Sequence, residues 1–194
     1  MDTRATDTSA TRKRSTRTLW LILAVCAAPI VASYAVYYLW QPASHVNYGE
    51  LIAPHPLPDA AFAGMDGGAF RLAGLKGQWI LLMAAPAACD ERCRQNLVYM
   101  RQVRLAQGKE TQRIERLWLL TGSGTPDPAL VAEHPGLRIA RNGQGAAPEE
   151  ALSTPAQIHV VDPLGNLMMR FPADPDPRRM LKDVSRLLRH SKWK

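Results

Sequence analysis

The chain has 194 residues, 46% hydrophobic and 21% charged, with 3 Cys and a formal net charge of +7; this is one domain's worth of chain beyond any anchor, enough to bury a core without several disulfides. The charge is split. Residues 1–17 carry five Lys/Arg and two Asp, residues 178–194 carry seven Lys/Arg and one Asp, and the segment between holds twelve basic and fourteen acidic residues. That distribution argues against nucleic-acid binding, which needs basic residues clustered on a folded face.

Thr18 to Trp40, TLWLILAVCAAPIVASYAVYYLW, is 23 residues without a charge. A helix needs roughly 20 apolar residues to span the hydrocarbon of a bilayer. Trp20 stands near one end and Tyr37, Tyr38 and Trp40 at the other, where aromatic side chains favour the two interfaces. Arg12, Lys13, Arg14 and Arg17 precede the span. The positive-inside rule therefore makes residues 1–17 a cytoplasmic tail and 18–40 a single transmembrane helix. The rest is then outside the cytoplasm, anchored to the inner (plasma) membrane and facing a periplasm. The span exceeds the 7–15 apolar residues usual in a cleaved signal peptide. Cys26 within it reads as a small hydrophobe.

Residues 41–60 contain Pro42, Pro54, Pro56 and Pro58 with little periodicity, which predicts an extended tether before a domain at 61–194. Within that domain Ala69–Leu72 reads as a short strand, followed by a turn at Leu75–Gln78. The continuous apolar run WILLMA, Trp79 to Ala84, is of buried-strand type. Cys93, Leu97, Met100 and Val103 then step at helical spacing, and Gly108 stops that helix. Arg116–Thr121 is a second buried strand. Gly122–Pro128 is a loop without the Lys of a phosphate-binding motif. A helical turn at Leu130–His134 and a weak strand at Leu137–Ala140 follow. Gln157–Val161 and Asn166–Phe171 flank a turn at 162–165 and form a hairpin. Asp176 caps a last helix, with Pro177 at its first position and Met180, Leu181, Val184, Leu187 and Leu188 on one face. The order predicts an α/β sandwich, a mixed sheet flanked by helices.

The chemistry concentrates in CDERC. Cys89 and Cys93 lie where a buried strand turns into a helix. Residues four apart on a helix share a face, and a helix N-terminus stabilises a thiolate. Such a pair can close a disulfide in an oxidising compartment, cycle as redox thiols, or bind Cu(I) as thiolates.

Trp79–Ala84, CDERC opening a helix, and IHVVDPLGNLMMRF before a C-terminal helix resemble the Sco family, as does MDGGAFRLAGLKGQWILL at the domain entry. The resemblance covers roughly residues 60–190. It implies a thioredoxin-like fold and a membrane-anchored protein that assists copper-site assembly in cytochrome c oxidase. Partners would be a respiratory oxidase subunit or a copper-assembly factor, and Cys89 and Cys93 the copper and redox thiols. The sequence departs from the family at three places. Asp90 and Arg94 stand where the family has Pro after each Cys, and Thr154, nine residues before Pro163, stands where it has a His ligand. His159 is the remaining third-ligand candidate, with His134 and His45 behind it, and Pro155 lies near the family fold's cis-proline position. Two other readings stay open: a thiol–disulfide oxidoreductase or peroxidase with Cys89 as nucleophile and Cys93 resolving, and a non-catalytic assembly scaffold.

Overall fold

The computed structural model describes residues 9–39, 47–57, 61–64, 69–141 and 153–191. The chain divides into two units, Met1–His45 and Val46–Lys194.

The first unit is helix α1, Ser9–Leu39. Its segment Thr16–Leu39 is long and apolar enough to cross a membrane, and none of it is buried. Tyr34 and Tyr38, one turn apart, stack at 6.4 Å, and Tyr37 meets Tyr38 edge-on at 5.1 Å. The helix starts before the apolar run and includes the basic residues from Arg12 to Arg17, because Lys, Arg and Ala are good helix formers. Trp40, the expected last residue of the span, lies outside the described residues.

The second unit is built on eight strands: β1 Glu50–Pro56, β2 Ala61–Gly64, β3 Ala69–Arg71, β4 Trp79–Pro86, β5 Ile114–Thr121, β6 Arg138–Arg141, β7 Ile158–Val161 and β8 Asn166–Arg170. They form one mixed sheet in the order β1-β8-β7-β4-β5-β6-β2-β3. Strands β4, β5 and β6 run parallel, and β7 returns antiparallel beside β4. Helix α2, Glu91–Leu105, makes the β4–β5 crossover. The short helix α3, Pro128–Ala132, lies between β5 and β6, and α4, Pro177–His190, closes the domain.

Strands β4 and β5 are almost wholly buried, which explains why β4, and Leu117–Leu120 of β5, read as continuous apolar runs rather than alternating ones. Alternate residues serve two cores. Leu81, Met83, Trp118 and Leu120 meet Met100 and Val103 of α2 and Met180, Val184 and Leu188 of α4. Leu82, Leu117 and Leu119 meet Phe62, Leu72, Leu75 and Leu167 on the other face. The two larger helices therefore share one side of the sheet and touch each other. Asp176 caps α4 as expected, accepting from the N–H groups of Arg178 at 2.8 Å and Arg179 at 3.4 Å.

The tether expected at 41–60 is corrected. Residues 50–56 form β1, antiparallel to β8, so the sheet begins before residue 61. Proline obscured it: Pro54 and Pro56 cannot donate to a ladder, but an edge strand tolerates them, and the register shifts between Leu51 and His55. The buried carboxylate of Asp183 in α4 pins the strand's entry, accepting from the N–H groups of Tyr48 at 2.7 Å and Gly49 at 2.8 Å. Strand β2 carries no periodic signal in the sequence, because AFAG is too short to show one. Helix α2 ends at Leu105, before Gly108, which at φ 58° opens a 3-10 turn over Gly108–Arg113.

Candidate functional site: a dithiol at the mouth of helix α2

Strand β4 ends at Pro86, and three residues later the chain reaches Cys89. Asp90 is the N-cap of α2, and its side chain accepts the backbone N–H of Cys93 at 2.9 Å. Cys89 thus precedes the cap and Cys93 sits in the first turn. The two form a disulfide, with Cα atoms 5.3 Å apart, inside the span that a bridge accepts. Cys89 is 7% exposed and Cys93 1%. Cys89 is thus the more exposed residue of the pair, and Cys93 lies at the positive end of the helix.

The surroundings are polar on one side only. Arg94 donates from Nε to the Cys89 carbonyl at 3.3 Å, while Glu91, Arg92 and Arg94 are exposed. A recess of about 330 Å³ lined by Glu91, Arg92, Gln95, Asn96 and Asp174 opens beside the first turns of α2. On the inner side the thiols pack with Ala87, Ala156, Ile158 and other residues of the helix-side core.

The loop before β7 reaches this helix. Asn96, three residues after Cys93, is buried and donates from Nδ2 to the Ala156 carbonyl at 2.8 Å. The Ala156 N–H in turn bonds the Ala84 carbonyl of β4 at 2.8 Å. Sequence reading missed Asn96, though a polar residue at a buried position of the α2 stripe was the signal. Pro155 as a cis-proline is corrected: no cis peptide bond occurs among the described residues. The bend is made at Ala156, which takes φ 62° in the left-handed region. Thr154, at the place the Sco resemblance gives to a His ligand, is half-buried in this same loop.

The other sequence candidates are not brought to the thiols. His159 is paired in register with Leu82, whose side chain belongs to the opposite core, whereas its neighbours Ile158 and Val160 lie on the thiol side. The sheet thus separates the imidazole from the cysteines. His159 is fully buried rather than exposed, its Nδ1 is 3.2 Å from the Gln157 carbonyl, and its Nε2 has no partner. Burial pushes its pKa down to about 4. His134 lies in the turn after α3, and His45 lies outside the described residues. Gly122–Thr125 is a turn as expected, with Gly122 at φ 73° and Gly124 at φ 145°. Among the described residues no group of three or more His, Cys, Asp or Glu is arranged to hold a metal ion. The two thiols, once reduced, suit Cu(I), which tolerates two soft ligands; they do not supply the imidazole that Cu(II) favours.

A family model described as "Transmembrane-like, thioredoxin-like, C-terminal domain" matches residues 79–191. The chain belongs to this thioredoxin-like family. Its match runs from β4 through the dithiol and the β7–β8 hairpin to the end of α4. No curated protein matches the chain. Solved structures share the fold. Apo Sco1 from Thermus thermophilus is 20% identical with a TM-score of 0.56, covering 76% of this chain and 98% of its own. Yeast Sco1 with copper bound is 11% identical with a TM-score of 0.57, covering 71% and 91%. A putative thiol:disulfide interchange protein DsbE from Chlorobium tepidum is 21% identical with a TM-score of 0.54, covering 72% and 99%. Both kinds of neighbour thus have the thioredoxin-like architecture of this family member.

Proposed function

We propose that the protein is a membrane-anchored, Sco-like factor that assists cytochrome c oxidase biogenesis. It does so by thiol–disulfide exchange or by passing on Cu(I). The observation that carries this reading is the Cys89–Cys93 pair at the junction of β4 and α2, with Cys89 the more exposed residue. In the exchange, a partner thiolate attacks Cys89, the Cys89–Cys93 bond breaks, and Cys93 departs as a thiolate. A second thiol then releases Cys89 and the partner pair is left oxidised. When both thiols are reduced and deprotonated, they hold Cu(I) as cargo and yield it to a site with more ligands. Helix α1 spans the inner membrane with its N-terminus in the cytoplasm, and the domain works in the periplasm near the oxidase subunits or copper-assembly factors it serves. The copper-bound yeast Sco1 and the putative interchange protein are fold-level support for these two chemistries.

A second reading has its own support. Cys93 is 1% exposed, which suits an assembly scaffold whose disulfide is structural. The two readings part on one experiment. Replacing both Cys89 and Cys93 by Ser in the native cell, with protein level monitored, should abolish assembled oxidase under low copper if the dithiol works. Normal oxidase with the double variant at wild-type abundance would transfer the role to the scaffold.

A further inference from the structure

The helix-side layer holds a second polar cluster, remote from the dithiol in sequence and unused by it. Arg116 lies in the middle of β5, between Ile114 and Trp118 on the face that α2 covers. It is 2% exposed. Only its Nη2 has a partner, the Pro135 carbonyl at 2.5 Å; Nε and Nη1 are buried with none. His134, one residue before that proline, is equally buried, and both its ring nitrogens lack partners. Arg101 of α2 donates to the carbonyl of Glu133 in the same turn, and Arg104 donates from Nε to the Ile114 carbonyl at 2.6 Å. Three arginines thus converge on the turn after α3 and the start of β5, each held by a backbone carbonyl. Among the described residues none of the three has an ion pair, and Glu115, the nearest acid on β5, is committed to Arg138 at 3.3 Å.

A guanidinium offers five donors, and leaving them unpaired in a buried position costs far more than satisfying them. Mutual repulsion adds to this. Burial and then the charges of Arg104 and Arg101 lower the pKa of Arg116 to about 10 against the smaller opposing effect of Glu115, and burial with Arg101 and Arg116 lowers that of His134 against Glu133. An anion removes both penalties, because an oxyanion accepts from planar guanidinium forks and from imidazole N–H at once. The geometry points to a binding site for a small phosphate-type oxyanion formed by Arg101, Arg104, Arg116 and His134. Arg101 and Arg104 are the half-exposed members, whereas Arg116 and His134 are buried, so an anion enters from the side of the two α2 arginines.

The test uses the full chain in neutral detergent, titrated with inorganic phosphate at constant ionic strength against chloride. The arginine Nε–H resonances and the unfolding midpoint are followed together. Phosphate should shift the Arg116 Nε–H signal saturably and raise the midpoint, and chloride should do neither. Arg101→Ala, which removes only a half-exposed side chain, should weaken phosphate binding at least tenfold while the domain stays folded. Arg116→Met should abolish the saturable response if it folds. A phosphate response identical to chloride's, or wild-type phosphate affinity in Arg101→Ala, would overturn the assignment.

Discussion

His159 shows what a single residue's surroundings do to its chemistry. In sequence it sits mid-strand and four positions before Pro163, an inviting neighbour for two thiols. The period of two along β7 sends it instead into the core opposite the cysteines. There burial holds the ring neutral, with a pKa of about 4 against an ordinary 6.5. Between those values the unfolded chain binds a proton that the folded chain does not, so stability rises with pH across that window. The contribution is complete above pH about 6.5 and is lost as pH falls toward 4, a loss on the order of 3 kcal/mol. Thermal unfolding of the detergent-solubilised chain at several pH values should show this decline, and His159→Leu should flatten part of it. The remainder belongs to Glu50, whose pKa the hydrogen bond from Arg170 lowers, and to His134, whose pKa burial lowers. An unchanged pH profile in His159→Leu would mean that the imidazole is solvated.

At the scale of elements, the legible ones were those whose pattern and punctuation agreed. Strand β4 and residues Leu117–Leu120 of β5 stand out as apolar runs, and α2 and α4 as apolar stripes, the latter with Asp176 in front. The junction that carries the dithiol was therefore readable from sequence. Its inner wall was not, because Thr154–Ala156 is brought to α2 by hydrogen bonds across 60 residues, Asn96 to Ala156. Strand β1 was hidden for a different reason. Its pairing is fixed less by its own side chains than by contacts made elsewhere. Asp183 holds Tyr48 and Gly49, and a Cβ at Gly49 would fall 2.7 Å from the Met169 sulfur. Arg179 stacks over Tyr48 at 4.5 Å and Arg186 donates to Asn47 at 3.2 Å, so two basic residues of the C-terminal segment serve the domain entry. Asp183→Ala leaves the buried N–H of Gly49 and the part-buried N–H of Tyr48 without an acceptor, the former costing about 1–3 kcal/mol. Hydrogen exchange should then accelerate over residues 48–56 well before it does in β4 or β5. Protection of β1 equal to wild type would show that the β8 ladder alone suffices.

The whole molecule carries an apolar helix long enough to cross a membrane and a thioredoxin-like domain in which Cys89 and Cys93 are paired. The orientation we propose rests on Arg12, Lys13, Arg14 and Arg17 preceding an uncharged span. A reporter active only outside the cytoplasm, fused after Lys194, should be active, and a cytoplasm-only reporter silent. The reverse pattern would place the dithiol in a reducing compartment and remove the ground for its cycling.

The measurement closest to the central claim is a Cu(I) competition titration of the fully reduced chain in detergent. The account predicts one Cu(I) per chain, lost in Cys89→Ser and in Cys93→Ser, and retained in His159→Ala and Cys26→Ser. Reduced wild type that takes up no Cu(I), or serine variants that hold it as tightly, would contradict a copper-handling dithiol at the mouth of α2.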